Sequence, residues 1–453
     1  MHWIDKYKLL DKQNLRFVKS ILLILVLVLL VFWPSFTNDF QRAWDDQWML
    51  LSHPMIHDQS FDNIWYYFTH FDRGQYFPLN QAYYILLYNI FGFEPMAFHA
   101  GSLLLHFVNG ILVMVLMSHL AAIGGMKAHL RRSFAVLVAI IFVIHPLQVE
   151  SVAWVSASKV VLYASCTLAG LLFYVWYKIR RKYVFLLSTI LCYVLGLMVK
   201  EQAIILPLNI ILLDAFFHIF GEQKFTKKVW VEKIPFFIIA IGFWYWSSLH
   251  QLGVMNLEDA FPWEQRLVFG SYSLVVYLIR FIIPAKLLFY YGFPILAGEA
   301  LPWTYYVFVS AALFVLMYLI DLYRQRKWAP FFGLLFFLIN ILLVLHIIPM
   351  PRAMITADRY MYLSIIGLAV WALWFAHKLT IWMTSRSLLP NLRSSKTLMG
   401  GLIGLYLLGF GWYSNSLTHK WNDSVSIKQE LRDYIKPQFE VKIDQNEDES
   451  FQK

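Results

Sequence analysis

The chain holds a succession of apolar stretches of roughly 17 to 22 residues, the length at which an α-helix crosses the hydrocarbon of a bilayer. Lipid offers no partner for an unpaired backbone group, so these stretches must be helices rather than an open sheet. They fall near 20–36, 97–120, 134–147, 158–178, 183–199, 202–220, 234–250, 303–320, 330–348, 359–378 and 397–416. The expected fold is an all-α, polytopic membrane protein of about 11 spans. Composition agrees, with 59% hydrophobic and 15% charged residues, where a soluble domain is about a quarter charged. The first run follows a basic flank but no small-residue cleavage site follows it, so it is read as a retained helix and not a signal peptide.

The net charge of +10 does not indicate nucleic acid, because the charge is not gathered into one patch. Six segments, 1–19, 124–133, 178–182, 221–233, 321–328 and 385–396, hold 22 of the 38 Lys and Arg. The segments between them carry most of the acids. That alternation follows the positive-inside rule, with basic loops cytoplasmic and acidic loops outside. Segment 265–284 is long enough to cross but holds Arg280. Counting it as a crossing would put Arg324, Arg326 and Lys327 outside and Asp358 inside, so it is expected to be re-entrant or to lie on the outer face. Three regions follow: a cytoplasmic N-terminus at 1–19, a membrane domain at 20–418, and a short outer tail at 419–453 with a disordered polar end. The first outer loop, 37–95, contains two amphipathic helices expected to lie on the membrane surface.

Ionisable groups at membrane depth are costly and are functional candidates by default. They gather at the expected outer ends of helices. Asp45 and Asp46 lie side by side in "AWDDQWML". His99, His106 and Asn109 share a side of one helix. His145 and Glu150 lie in "HPLQVESVAW", Lys159 begins the next helix, and Lys200 and Glu201 form the turn "VKEQA". Arg352, Asp358 and Arg359 lie in "MPRAMITADRYMYL". Each also has a plain reading: solvated loop carboxylates, packed histidines, an interfacial arginine. No phosphate-binding glycine motif is present, no His/Cys set suggests zinc, and Cys166 and Cys192 lie within apolar runs. Any chemistry must use a substrate that reaches the outer face without a nucleotide.

The ordered set "AWDDQWML", "GQYFPL", "FHAGSLLLHFVN", "IHPLQVESVAWVSASKVVLY", "VKEQAIILPLNIILLD" and "ADRYMYLSIIGL" resembles the C-type membrane glycosyltransferases. It is most similar to the membrane region of transmembrane O-mannosyltransferases with tetratricopeptide repeats and their bacterial relatives, over about residues 20 to 420. The resemblance implies a multi-span enzyme, in a bacterial inner membrane, that takes a sugar from a polyprenyl-phosphate carrier on the outer face. It places the catalytic aspartate at Asp45, with Asp46 beside it. There are departures. Phe77 stands where relatives carry arginine before a proline, Lys159 where many carry arginine, and Gly101 and Ser102 interrupt an FHxxN pattern. The tail, about 35 residues, is shorter than the roughly 100 that a packed repeat array needs, which leaves a protein acceptor open.

On this reading Asp45 takes the proton of an acceptor hydroxyl, and Asp46 orients or tunes it. Arg359, Lys200 and Arg352 meet the donor phosphate, because preorganised charge is often the largest catalytic term. His99, His106, His145, Glu150, Lys159, Glu201 and Asp358 support them. The isolated position of Arg359 among acidic segments, with Asp358 pointing elsewhere on the helix, suggests that a lipid phosphate is its anion. No cofactor is expected. A divalent cation stays possible if Glu150 joins the aspartates. The acceptor is a protein, lipid or glycan. The alternatives are a polysaccharide polymerase or ligase of the same architecture, a lipid or solute transporter, and a structural membrane protein.

Overall fold

A computed structural model describes residues 14–42, 44–221, 223, 226–251, 261–348, 354–386, 392–429 and 432. Arg352 and the end of the tail lie outside the described residues. Those residues form helices and turns with two isolated β-bridges and no strand. The protein is an all-helical, multi-pass integral membrane protein. Among the described residues seven helices are long and apolar enough to cross a bilayer, or eight if one bent pair is a single span. Tyr183–Leu197 and Trp328–Val344 are apolar but shorter. The eleven full crossings expected from the sequence are therefore not reproduced by helix length and composition. Most of segment 265–284 lies in one helix, Trp263–Ile282, which ends before Ile283 and Pro284.

The two stretches of loop 37–95 expected to be helical do form helices, Phe61–Thr69 and Pro78–Phe91. Ser60 caps the first, its hydroxyl accepting from the Asn63 N–H at 3.4 Å, which satisfies one orphan donor. Pro78 opens the second, where its missing N–H is harmless. Gly92, with φ of 65°, ends it in a conformation that costs glycine little.

The core centres on Pro95–Ile123, Ala128–Ile144 and Ser158–Arg180. Interhelical polar bonds clamp them. The Tyr362 hydroxyl lies 2.7 Å from His106 Nδ1 and accepts from Asn109 Nδ2 at 3.0 Å, while His106 Nε2 donates to the Val143 carbonyl at 3.0 Å. His106 and Asn109 are thus packing residues. Lys227–His250 and Trp303–Arg324 keep most of their apolar surface outward, as lipid permits.

After Ile144 the chain turns by 57° into Pro146–Ala153. The cause is local. Pro146 cannot donate to a continuing helix. His145 Nδ1 accepts from the Leu147 N–H at 3.2 Å, and its Nε2 donates to the Phe281 carbonyl at 3.0 Å. His145, a candidate site residue by sequence, is the cap of this bend. All of 145–160 is buried, so the bend forms an internal platform.

Near the far ends of the helices a buried ionic cluster ties three elements together. Lys178 lies 2.8 Å from Asp214 Oδ1, Lys233 pairs with the other oxygen, and the Tyr174 hydroxyl donates to Asp214 at 2.8 Å.

Trp328–Ile341 and Ser364–Ser385 cross at two glycines. A Cβ on Gly333 would stand 2.6 Å from the Gly367 carbonyl oxygen, and one on Gly367 would collide with the Gly333 carbonyl. Small residues allow membrane helices this approach. Gly367→Ala is expected to force the backbones apart and lower the melting temperature in detergent, whereas Gly404→Ala, whose Cβ would meet open space, should leave it unchanged. Equal melting of the two variants would refute the close crossing.

Candidate active site

Asp45 and Asp46 begin a widened helical turn that continues through Gln47–Leu51. Adjacent helical side chains diverge by about 100°, so the two carboxylates take different surroundings. Asp46 points inward and is fully buried. It accepts from the Gln41 N–H at 2.7 Å and the Ser156 N–H at 2.9 Å, and it also bonds the Ser156 hydroxyl. Burial pushes its pKa up to about 6; the bonds from Ser156 and Gln41 partly offset this, and the charge of Asp45 adds to it. Asp45 is half-buried and accepts from Trp48 Nε1 at 3.0 Å. The pair is thus unequal. Asp46 bolts the loop to the platform, and Asp45 keeps a carboxylate face toward the outside.

The platform supplies the neighbours. Trp44 packs on Trp154 at 5.4 Å and on Phe289 at 4.6 Å. Glu150 accepts from the Arg359 backbone N–H at 2.7 Å and pairs with its guanidinium. That guanidinium lies 5.5 Å from the Trp154 ring and 5.2 Å from the Tyr360 ring, within the field of Asp45. Burial disfavours its charge, but Glu150, Tyr360 and Asp45 together outweigh this and raise its pKa. The expectation that Arg359 lacks an anion within the protein is therefore corrected: Glu150, 209 residues away in sequence, supplies it. Asp358 is buried against Arg280 at 3.4 Å and the Tyr291 hydroxyl at 3.2 Å. Its pKa is pushed up to about 7, chiefly by burial, with Arg280 opposing and Glu150 reinforcing.

Lys159 and Lys200 line one cleft of about 400 Å³, together with Gln75, Tyr76, Phe77, Glu201 and Tyr360. Lys159 donates to Gln75 Oε1 at 2.8 Å and lies 5.4 Å from the Phe77 ring. Trp48, bonded to Asp45, packs on that Phe77 at 6.0 Å, and Tyr360 follows Arg359 in the chain. Asp45, the Glu150–Arg359 pair and the lysine cleft therefore adjoin. A second cleft, of about 360 Å³, is lined by Glu150, Asp358, Phe289, Lys420 and Trp421.

The structure brings together Asp45, Asp46, Glu150, Lys159, Lys200, Glu201, Asp358 and Arg359. It assigns His106 and His145 to packing, and it buries His99 beside Asp39. Among the described residues no group of three or more His, Cys, Asp or Glu is placed to hold a metal ion, and Glu150 faces Arg359 rather than the aspartates. Sequence reasoning missed Ser156, Trp154, Gln75, Tyr291 and Arg73. Of these only Arg73, before Gly74, carried a turn signal.

The start of the tail packs beside the site: Gln41 Nε2 donates to the Trp421 carbonyl at 2.9 Å, the Asp39 N–H donates to the Asn422 carbonyl at 2.8 Å, and Trp421 stacks on Trp154 at 5.5 Å.

No protein-family model matches the chain, and no curated protein matches it. Among solved structures, the chain is similar to ArnT from Cupriavidus metallidurans bound to undecaprenyl phosphate. The identity is 12% over 94% of this chain and 80% of that one, with a TM-score of 0.47. A likeness of that degree carries no argument about chemistry.

Asp46 yields a pH prediction. Its folded pKa, about 6, exceeds the ordinary 3.8, so the folded state holds the proton more tightly. The resulting stabilisation is complete below about pH 4 and is lost as pH rises through about 6. Relative to Asp46→Asn, the wild type should lose a few kcal/mol between those limits and no more above them. Melting temperatures of both proteins from pH 4 to 8 check this; a constant difference would refute it.

Proposed function

We propose that the protein transfers a sugar from a polyprenyl-phosphate carrier to an acceptor hydroxyl at the extracytoplasmic membrane surface. The observation that carries this reading is the division of labour between the two aspartates beside a lysine-lined cleft. One carboxylate is held in the core, and its neighbour is half-buried and bonded to Trp48, which packs on Phe77 in the wall of that cleft. The resemblance read from the sequence motifs supports the same class.

Asp45 accepts the proton as the acceptor oxygen attacks the anomeric carbon. The bond from that carbon to the carrier phosphate breaks, with inversion. The phosphate leaves as a stable anion, so a second carboxyl acid of the kind glycosidases require is unnecessary. Lys159 and Lys200 meet the departing charge from the cleft wall, where preorganised cations are worth more than in water. Asp46 is a positioning residue, since both its oxygens are taken. Arg359 is another: with Glu150 it pins the segment carrying Tyr360 against the platform. The acidic character of the segments around the site, and the basic segments at the opposite helix ends, support an extracytoplasmic site by the positive-inside rule.

The test uses purified protein, a panel of polyprenyl-phosphate sugars and mixed hydroxyl acceptors, with released polyprenyl phosphate as the readout. Wild type should release it with at least one donor. Asp45→Asn should reduce release by about 10² to 10⁴, the usual loss for a general base, with an unchanged melting temperature because Asp46 still holds the loop. Full turnover by Asp45→Asn removes Asp45 from the mechanism. Unchanged movement of donor across the membrane without release would indicate a transporter instead.

A further inference from the structure

Arg73 lies in the turn Asp72–Gln75 of the first outer loop. The Asp72 N–H donates to the Gln75 carbonyl at 2.9 Å and the Gln75 N–H to the Asp72 carbonyl at 2.8 Å. Arg73 and Gly74 have φ of 47° and 72°, the pattern of a tight two-residue turn with both central residues left-handed. Asparagine, aspartate or glycine would sit there readily; arginine is disfavoured. Both ends of the turn are anchored. Asp72 accepts from Nε2 of the buried His53 at 3.1 Å, and Gln75 accepts from Lys159 at 2.8 Å. The turn therefore holds the Arg73 backbone in an unfavourable conformation.

What this strain achieves is the placement of one cation. The Arg73 guanidinium lies over the Trp48 ring, 4.8 Å from its centroid, and the same indole donates its N–H to Asp45. The arginines bordering the site differ in one respect. Arg42 pairs with Asp39, Arg280 with Asp358, and Arg359 with Glu150. Among the described residues Arg73 has no carboxylate partner, and it is exposed. An exposed cation in an acidic outer loop, held in a costly backbone conformation beside the base and at the rim of the lysine cleft, is arranged for an anionic ligand. Strain of this kind persists where the surroundings over-determine it, and it concentrates at ligand clamps.

We infer that Arg73 binds a phosphate oxygen of the lipid-linked donor from the aqueous side, opposite Lys159 and Lys200. The inference rests on the reading given under Proposed function. A guanidinium offers a planar fork of donors suited to phosphate, and the flat Trp48 face keeps it extended in the meantime. The same chemistry would serve a bulk anionic headgroup, so the test separates the two sources.

Full-length protein in phosphatidylcholine nanodiscs is titrated with polyprenyl monophosphate, with the uncharged polyprenol, and with added phosphatidylglycerol. Wild type, Arg73→Gly and Arg73→Lys are compared. Arg73→Gly relieves the strained φ, so it should melt no lower than wild type while binding polyprenyl monophosphate about tenfold or more weakly, the range for one charge-assisted bond. Its polyprenol binding should be unchanged, and Arg73→Lys should recover only part of the loss. Wild-type affinity for polyprenyl monophosphate in Arg73→Gly overturns the inference and leaves the proposed function standing. So does a loss confined to phosphatidylglycerol, or a marked fall in melting temperature that lowers all binding alike. A wild type that does not distinguish polyprenyl monophosphate from polyprenol defeats the proposed function itself, and this inference with it.

Discussion

The bond set of Asp46 holds the outer face together. One buried carboxylate takes two backbone N–H groups and a hydroxyl, joining the first outer loop to the platform formed after the Ala128–Ile144 helix. Burying an ionisable group is costly unless its oxygens are met, and three donors meet them here. The adjacent residue, Asp45, has its direction set by that attachment, and so does Trp48. The clefts on either side are walled by the elements Asp46 connects.

The remaining charges follow the same rule of local neutralisation. Glu150 meets Arg359, and Asp358 meets Arg280 and Tyr291. Lys178 and Lys233 share Asp214 at the far ends of the helices. Removing one member of a buried pair leaves an uncompensated charge, which is far costlier than never burying the pair. Such pairs give geometry more than stability. Around the outer clefts they hold the platform, the segment after residue 354 and the Trp263–Ile282 helix in one arrangement. Asp45 and Arg73, which form no salt bridge among the described residues, flank Trp48.

Much of the helical order was legible from residue patterns. Each apolar run overlaps a helix, some closely, as Ser158–Arg180 against an expected 158–178 and Ile234–Gln251 against 234–250, and others with ends displaced by up to about seven residues, as Ser364–Ser385 against 359–378. The two helices of loop 37–95 were legible from their apolar, amphipathic composition. The span count was not, because several apolar helices are shorter than a bilayer is thick or carry charge, and run length alone does not distinguish a crossing from a partial one. The bend at His145–Pro146 was visible only as a proline; its direction depends on Phe281, which accepts the His145 bond. The packing of the tail's start was not legible, because Trp421 and Ile427 look like isolated apolar residues in a polar stretch until their surroundings are known.

Sequence alone determined that this chain is a bundle of membrane helices, because apolar segments in lipid must satisfy their backbone internally. It also marked a short set of charged residues as candidates, because charge at membrane depth is too costly to be casual. Only tertiary structure decided what each of them does. Asp45 and Asp46 are chemically identical neighbours, and their difference comes from Ser156, 110 residues away. Arg359 reads as an unmatched cation until Glu150 arrives from 209 residues away. Electrostatic roles depend on distance and burial in space, and both are set by contacts that local sequence does not encode.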